Sequence, residues 1–229
     1  MSIDVQRKLR RAMKRKQESK KPKSTPSFIL ELPLIVNSKQ KRILLARFEA
    51  GRQLYNACLG EILKRYKLMI RSVAYRNTLA MPKSTEEERK IRSEAFNEIA
   101  KRYKFSDAAI QSYAKVIRKS WIAEHLDAVL SQKLASRAFN AVFKLITQEA
   151  EKMRFKRYGG LNSLEGKSNA AAIMWKNNRI KWNKLSLPAI VDAKDKVVQH
   201  ALSSRVKYVR LVKKTIRGKT LFWHSQKIN

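Results

Sequence analysis

The chain has 229 residues and carries 52 Lys and Arg against 18 Asp and Glu, a formal charge of +34. A field of that size attracts polyanions and releases their condensed counterions, so nucleic acid is the expected partner. A hydrophobic content of 44% supplies a core that basic disordered tails lack, and a lone cysteine excludes an internal disulfide and any Cys-x-x-Cys zinc site.

No apolar run approaches the roughly 18 to 20 residues that span a bilayer, and no signal-peptide apolar region is present. A cytoplasmic protein of prokaryotic type, associated with RNA or the nucleoid and without a membrane partner, is expected. No cofactor or metal is expected.

Residues 1–26 hold ten basic and two acidic residues and end in a Pro- and Lys-rich stretch, which reads as a basic arm. Arg7, Arg10 and Arg11 are its candidate nucleic-acid contacts. Residues 28–36 read as a strand, and Pro33, which cannot donate to a ladder, places it at an edge or a bulge. From Ser38 onward Leu44, Phe48, Gly51, Tyr55, Cys58, Ile62, Tyr66 and Met69 recur at spacings of three and four, the stripe of a long helix with Ser38 as its cap. Cys58 falls on that stripe and is expected to be a buried thiol. Arg47, Arg52 and Lys64 belong to the basic surroundings of the stripe and are candidate contacts.

Ser84 with Glu87, or Thr85 with Glu88, forms a capping box for a second helix reaching about Tyr103. Ser106 and Asp107 cap a third, with Ile110, Ala114 and Ile117 inward. Leu134, Ala138, Val142 and Leu145 line a fourth, expected to end near Met153. At Arg154 the helical period stops, and Arg154, Phe155, Lys156, Arg157 and Tyr158 run into two glycines. Residues 170–174, 179–182, 184–187, 206–212 and 220–224 then read as short strands, with a hairpin turn at Arg217 and Gly218. The early strand is expected to join them. The expected organisation is an α+β fold: a basic arm at 1–26, a helical bundle at 38–153, and a β subdomain formed from 27–37 and 154–229.

Catalytic patterns are not found. Asp192 and Asp195 lie among lysines in a segment that reads as a solvated loop rather than a pair of Mg²⁺ ligands. His125, His200 and His224 accompany no recognisable nucleophile; each reads as structural, or for His224 as a nucleic-acid contact. No phosphate-cradling Gly-rich loop occurs. Binding chemistry remains, as aromatic residues alternate with basic ones at 154–158, at Lys181-Trp182 and at Lys207-Tyr208, a pattern suited to stacking unpaired bases beside phosphates. Phe155, Tyr158 and Trp182 stay open between stacking and core, and Arg217 and Lys219 complete the candidate contacts.

Three runs occur in a telling order: residues 52–59 (RQLYNACL), 134–142 (LASRAFNAV), and Arg154 to Arg157 followed by Asn162 and Ser163. Together they resemble the N-terminal half of the TnpB, or OrfB-type transposase, family of transposon-encoded RNA-guided DNA nucleases related to type V CRISPR effectors. The resemblance covers roughly residues 28–229. It implies a wedge-type β-barrel split by a helical recognition lobe, holding guide RNA and the guide–target heteroduplex by shape and backbone. It also places Arg154, Phe155, Lys156 and Arg157 against RNA. The family's RNase-H-like domain, with its Asp-x-Gly motif, its Glu, its late Asp and its zinc element, has no counterpart in these residues. The expected activity is therefore binding of guide or transposon-end RNA and DNA, without nuclease activity. The alternatives are one half of a split nuclease with a separate catalytic subunit, a structural RNA-binding protein, or a DNA-binding repressor.

Overall fold

A computed structural model describes residues 27–147 and 151–228. The basic arm, with Arg7, Arg10 and Arg11, lies outside the described residues.

Helix α1 spans Ser38–Arg71, and its cap is Asn37 rather than Ser38. Asn37 Oδ1 accepts from the Gln40 amide at 2.9 Å while Gln40 Oε1 accepts from the Asn37 amide at 3.1 Å, so two otherwise unpaired donors at the helix start are satisfied. The helix stops at Ser72, whose extended backbone breaks the run. The Ser72 hydroxyl donates to the Met69 carbonyl and accepts from the Tyr75 amide, ending α1 and starting a separate helix α2, Val73–Ala80. That short helix was not legible as a separate element. Thr85 and Glu88 form the capping box of α3, Glu86–Arg102, and Ser106 caps α4, Asp107–Ile117. A 3₁₀ turn at Trp121–Glu124 leads to α5, Ala128–Ile146, capped by Asp127 and ending seven residues before Met153.

The stripe of α1 is the spine of the core. Leu44, Phe48, Leu54, Cys58 and Ile62 are buried against Ile110 and Ala114 of α4 and Leu130, Leu134, Ala138 and Val142 of α5. Gly51 sits at the tightest point. A Cβ built there would stand 3.0 Å from the Leu161 and Leu164 methyls and 3.4 Å from that of Leu134, so a side chain at this position would require these leucines to give way by a few tenths of an ångström. Burial raises the Cys58 thiol to about 12, which leaves it an inert apolar group.

Seven strands are formed, six of them where the sequence pattern placed them and β2 where it placed none: β1 (Phe28–Pro33), β2 (Ser163–Glu165), β3 (Ile173–Lys176), β4 (Arg179–Trp182), β5 (Leu185–Pro188), β6 (Val206–Ile216) and β7 (Lys219–Ile228). They form two antiparallel sheets, one ordered β1-β7-β6-β2 and one ordered β3-β4-β5. The early strand pairs with β7 at the sheet edge, where Pro33 is tolerated. Two-residue turns with positive φ make the hairpins: Asn177 and Asn178 between β3 and β4, Arg217 and Gly218 between β6 and β7.

The fold is α+β, but among the described residues the sheets do not close into a barrel. They are joined where Leu34 bridges Ala189, with the Ile35 amide on the Pro188 carbonyl and the Ile190 amide on the Pro33 carbonyl. On the other side the sheet ends at β2, which is only three residues long. The chain from Gly166 to Ala172 bends, with Ala172 at φ 66°, before β3 starts. Helix α6, Lys196–Ser203, covers the sheet through Val198 and Ala201, packed with Leu30, Leu32 and Ile228.

Candidate nucleic-acid interface

Arg52, Asn56, Gly60 and Lys64 recur every four residues and so share one face of α1. The first three hold the segment that follows the helices. Asn56 Nδ2 donates to the Lys156 carbonyl at 2.9 Å, and the Lys156 amide donates back to Asn56 Oδ1 at 2.9 Å. Arg52 adds a third bond, NH1 to the same carbonyl at 3.0 Å, its guanidinium steadied by Glu49 through Nε and NH2. The Phe155 ring lies against Gly60, its nearest atom 3.8 Å from where a Cβ would be, an ordinary contact distance. Beyond the clamp Gly159 adopts φ 67°, the Gly160 amide turns back onto the Arg157 carbonyl, and Lys213 Nζ donates to the Gly159 carbonyl at 2.6 Å.

The result is a loop fixed through its backbone that keeps its distinctive side chains outward. Tyr158 is 86% exposed and Phe155 54%, with Arg154 and Arg157 exposed and Lys156 half-buried. Rigid aromatic faces between guanidinium groups can stack on unpaired bases while the cations meet phosphates. Replacing Asn56 with Ala removes two of the backbone bonds at once. At roughly 0.5 to 1.5 kcal/mol each, the expected loss is about 1 to 3 kcal/mol. Trypsin cleavage after Arg154, Lys156 and Arg157 should accelerate in N56A, and an unchanged rate would show that the clamp does not hold the loop.

Several expected contacts have other work. Arg47 is 6% exposed, donates NH1 to the Trp182 carbonyl at 3.1 Å and lies 4.4 Å from the centre of the Trp182 ring. Trp182 itself is fully buried, which settles it as core. Arg52 is occupied by Glu49 and Lys156. Lys181 is half-buried within β4, between Met174 and Ser186. His224 is buried, stacked on Trp175 with ring centres 4.3 Å apart, and cannot touch a partner. Lys64 is exposed on α1, and Arg217 and Lys219 are exposed at the β6–β7 hairpin tip. The acids that read as a loop pair also have local roles. Asp192 Oδ1 accepts from the Lys194 amide, and Asp195 caps α6 through the Val197 and Val198 amides. Among the described residues no group of three His, Cys, Asp or Glu is placed to hold a metal ion, and no helix is long and apolar enough to cross a membrane.

The three sequence runs at 52–59, 134–142 and 154–163 meet in space. The first holds the third through Lys156, Gly51 beside the first faces Leu134 of the second, and Arg137 of the second donates to Ser163. That last contact marks a basic cleft between α5 and the β2–β6 edge, which motif reading missed. Its signal was present as Lys133, Arg137, Asn140 and Lys144 at steps of four, three and four. No family model matches the chain, and no curated protein matches it.

Proposed function

We propose that this chain is the nucleic-acid-binding portion of a TnpB-like, transposon-associated protein. It holds guide RNA and guide–target heteroduplex through backbone and stacking contacts, and takes no part in strand cleavage on its own. The observation that carries this reading is the loop at 154–158, locked to α1 by Asn56 and Arg52 with Phe155 and Tyr158 left bare between arginines. A protein that needed these aromatics only for packing would bury them. The charge of +34 supplies the salt-sensitive attraction. The helices inserted between β1 and β2, with two antiparallel sheets joined at Leu34 and Ala189, suit a wedge-type subdomain split by a recognition lobe. Any nuclease carboxylates would come from outside this chain.

Fluorescence anisotropy with transposon-end RNA, random single-stranded RNA and random duplex DNA, across a salt series, tests the proposal. Transposon-end RNA should bind best. A variant with Arg154, Phe155, Arg157 and Tyr158 all changed to Ala should bind about 10- to 100-fold more weakly, with a salt slope shallower by about 1.4 for two lost phosphate contacts on a single strand. RNA affinity no better than that for random duplex would overturn the reading, as would Mg²⁺-dependent cleavage by the chain alone.

A further inference from the structure

The exposed face of α5 presents Lys133, Arg137, Asn140 and Lys144 in one stripe, about 16 Å long at the helical rise. Opposite it stand Ser163 and Glu165 of β2 and Arg210 of β6, enclosing a cavity of about 500 Å³. Arg137 is held across the mouth, its NH1 donating to the Ser163 carbonyl at 3.1 Å and to the Ser163 hydroxyl at 3.2 Å. Four cations thus face a single acid.

That acid is unusually engaged. Glu165 Oε1 accepts from Lys133 Nζ at 3.0 Å, and Oε2 accepts from Arg210 NH2 at 2.5 Å and Nε at 3.1 Å. The three side chains keep 26 to 38% of their surface in solvent, so the triad can be reached from outside. Burial alone would raise the Glu165 carboxyl, yet the bonds from Arg210 and Lys133 outweigh it and hold the group below the usual carboxylate range. An anionic oxygen pair set between a guanidinium fork and an ammonium is also what a phosphate offers.

We propose that this cleft is a binding site for the phosphodiester backbone of single-stranded RNA, and that Glu165 is an internal anion that occupies Lys133 and Arg210 until a phosphate competes for them. The length of the α5 stripe exceeds one phosphate, which favours a running strand over a free or terminal phosphate. The loop and the cleft share an anchor, because Lys213 donates Nζ to the Gly159 carbonyl beside Tyr158 and its amide to the Asn162 carbonyl beside Ser163. The inference rests on the nucleic-acid reading above and adds to it a second contact region with its own built-in brake.

The test uses the full chain, a labelled single-stranded RNA with a 5′-hydroxyl, the same RNA with a 5′-phosphate, and inorganic phosphate as competitor. Glu165→Gln keeps the shape and frees two cations. Its affinity should rise about 3- to 10-fold at low salt, and its salt slope should steepen by as much as about 1.4. Lys144→Ala, at an exposed position that carries no part of the core, should weaken binding several-fold and lower the slope by about 0.7. Both RNAs should bind alike, and millimolar inorganic phosphate should compete poorly. A requirement for the 5′-phosphate, or full displacement by inorganic phosphate, would overturn the assignment to a running strand. Wild-type binding left unchanged in affinity and slope by both substitutions, with melting temperatures intact, would overturn the site itself. If the wild-type chain binds no RNA, the failure belongs to the nucleic-acid reading.

Discussion

Trp182→Ala should destabilise the fold by about 3 to 5 kcal/mol, the cost typical of deleting a large buried aromatic. Two features push the loss toward the upper end. Trp182 is fully buried in the core that the helices share with both sheets. Its ring also covers Arg47, whose guanidinium sits 4.4 Å above it and whose own burial lowers its pKa, countered only in part by Asp127. Without the ring Arg47 keeps its bond to the backbone carbonyl at 182 but loses the π face, worth about 2 kcal/mol when desolvated. Trp182→Phe should lose markedly less because an aromatic face remains. Urea denaturation measures all of this directly. A loss below about 2 kcal/mol in W182A would mean the cavity collapses and Arg47 finds other partners.

The Arg47–Trp182 pair also shows what the sequence could and could not disclose. A Lys-Trp dipeptide in a strongly basic chain satisfies the pattern of a stacking platform as well as that of a strand with one inward face. Alternation along β4 decides the matter, with Ile180 and Trp182 buried and Arg179 exposed, but four residues are too few for a period of two to outweigh the charge around it. Arg47 was harder still, because the residue that accepts from its NH1 and stacks beneath it is 135 positions away. The long stripe of α1, a capping box at Ser84 with Glu87 or Thr85 with Glu88, and the Arg217-Gly218 turn were legible because each is fixed by neighbours within four residues. The break at Ser72 was not, since Met69 and Ile70 continue the apolar pattern and the serine acts only through its backbone conformation and hydroxyl. Likewise β2 is three residues long and exists through its ladder with β6. At the candidate interface, the end of the helical period at Arg154 was legible from composition, but the exposure of Phe155 and Tyr158 was not, because the sequence left both open between stacking and core. Nor was the loop's fastening, since Asn56 resembles any polar residue on a helix until the chain returns a hundred residues later.

Acidification should weaken the fold through His224, well before the carboxylates titrate. The imidazole is fully buried on β7, stacked at 3° on Trp175, with Nε2 2.9 Å from Gln226 Oε1. Burial drives its pKa down from 6.5 to about 4, with the Gln226 bond opposing only in part. His224 Nδ1 and Gln226 Nε2 find no partner in the described residues, so nothing there compensates a second proton on the ring. Because the folded value is depressed, the unfolded chain takes up the proton first as pH falls. Stability is complete above about 6.5 and declines from there down to about 4, by about 3 kcal/mol in all and about 2 kcal/mol by pH 5. Glu49, held low by Arg52, and Glu165, where the bonds from Arg210 and Lys133 outweigh burial, keep their contributions until the pH falls into the ordinary carboxylate range and lose them from there downward. The interval between pH 6.5 and 5 therefore isolates the histidine. Denaturant unfolding at pH 7, 6 and 5 should show the decline in the wild type and a much flatter response in His224→Phe, which keeps a ring against Trp175, and in His224→Gln. Equal pH responses in all three proteins would mean that the buried imidazole gains a proton as easily folded as unfolded.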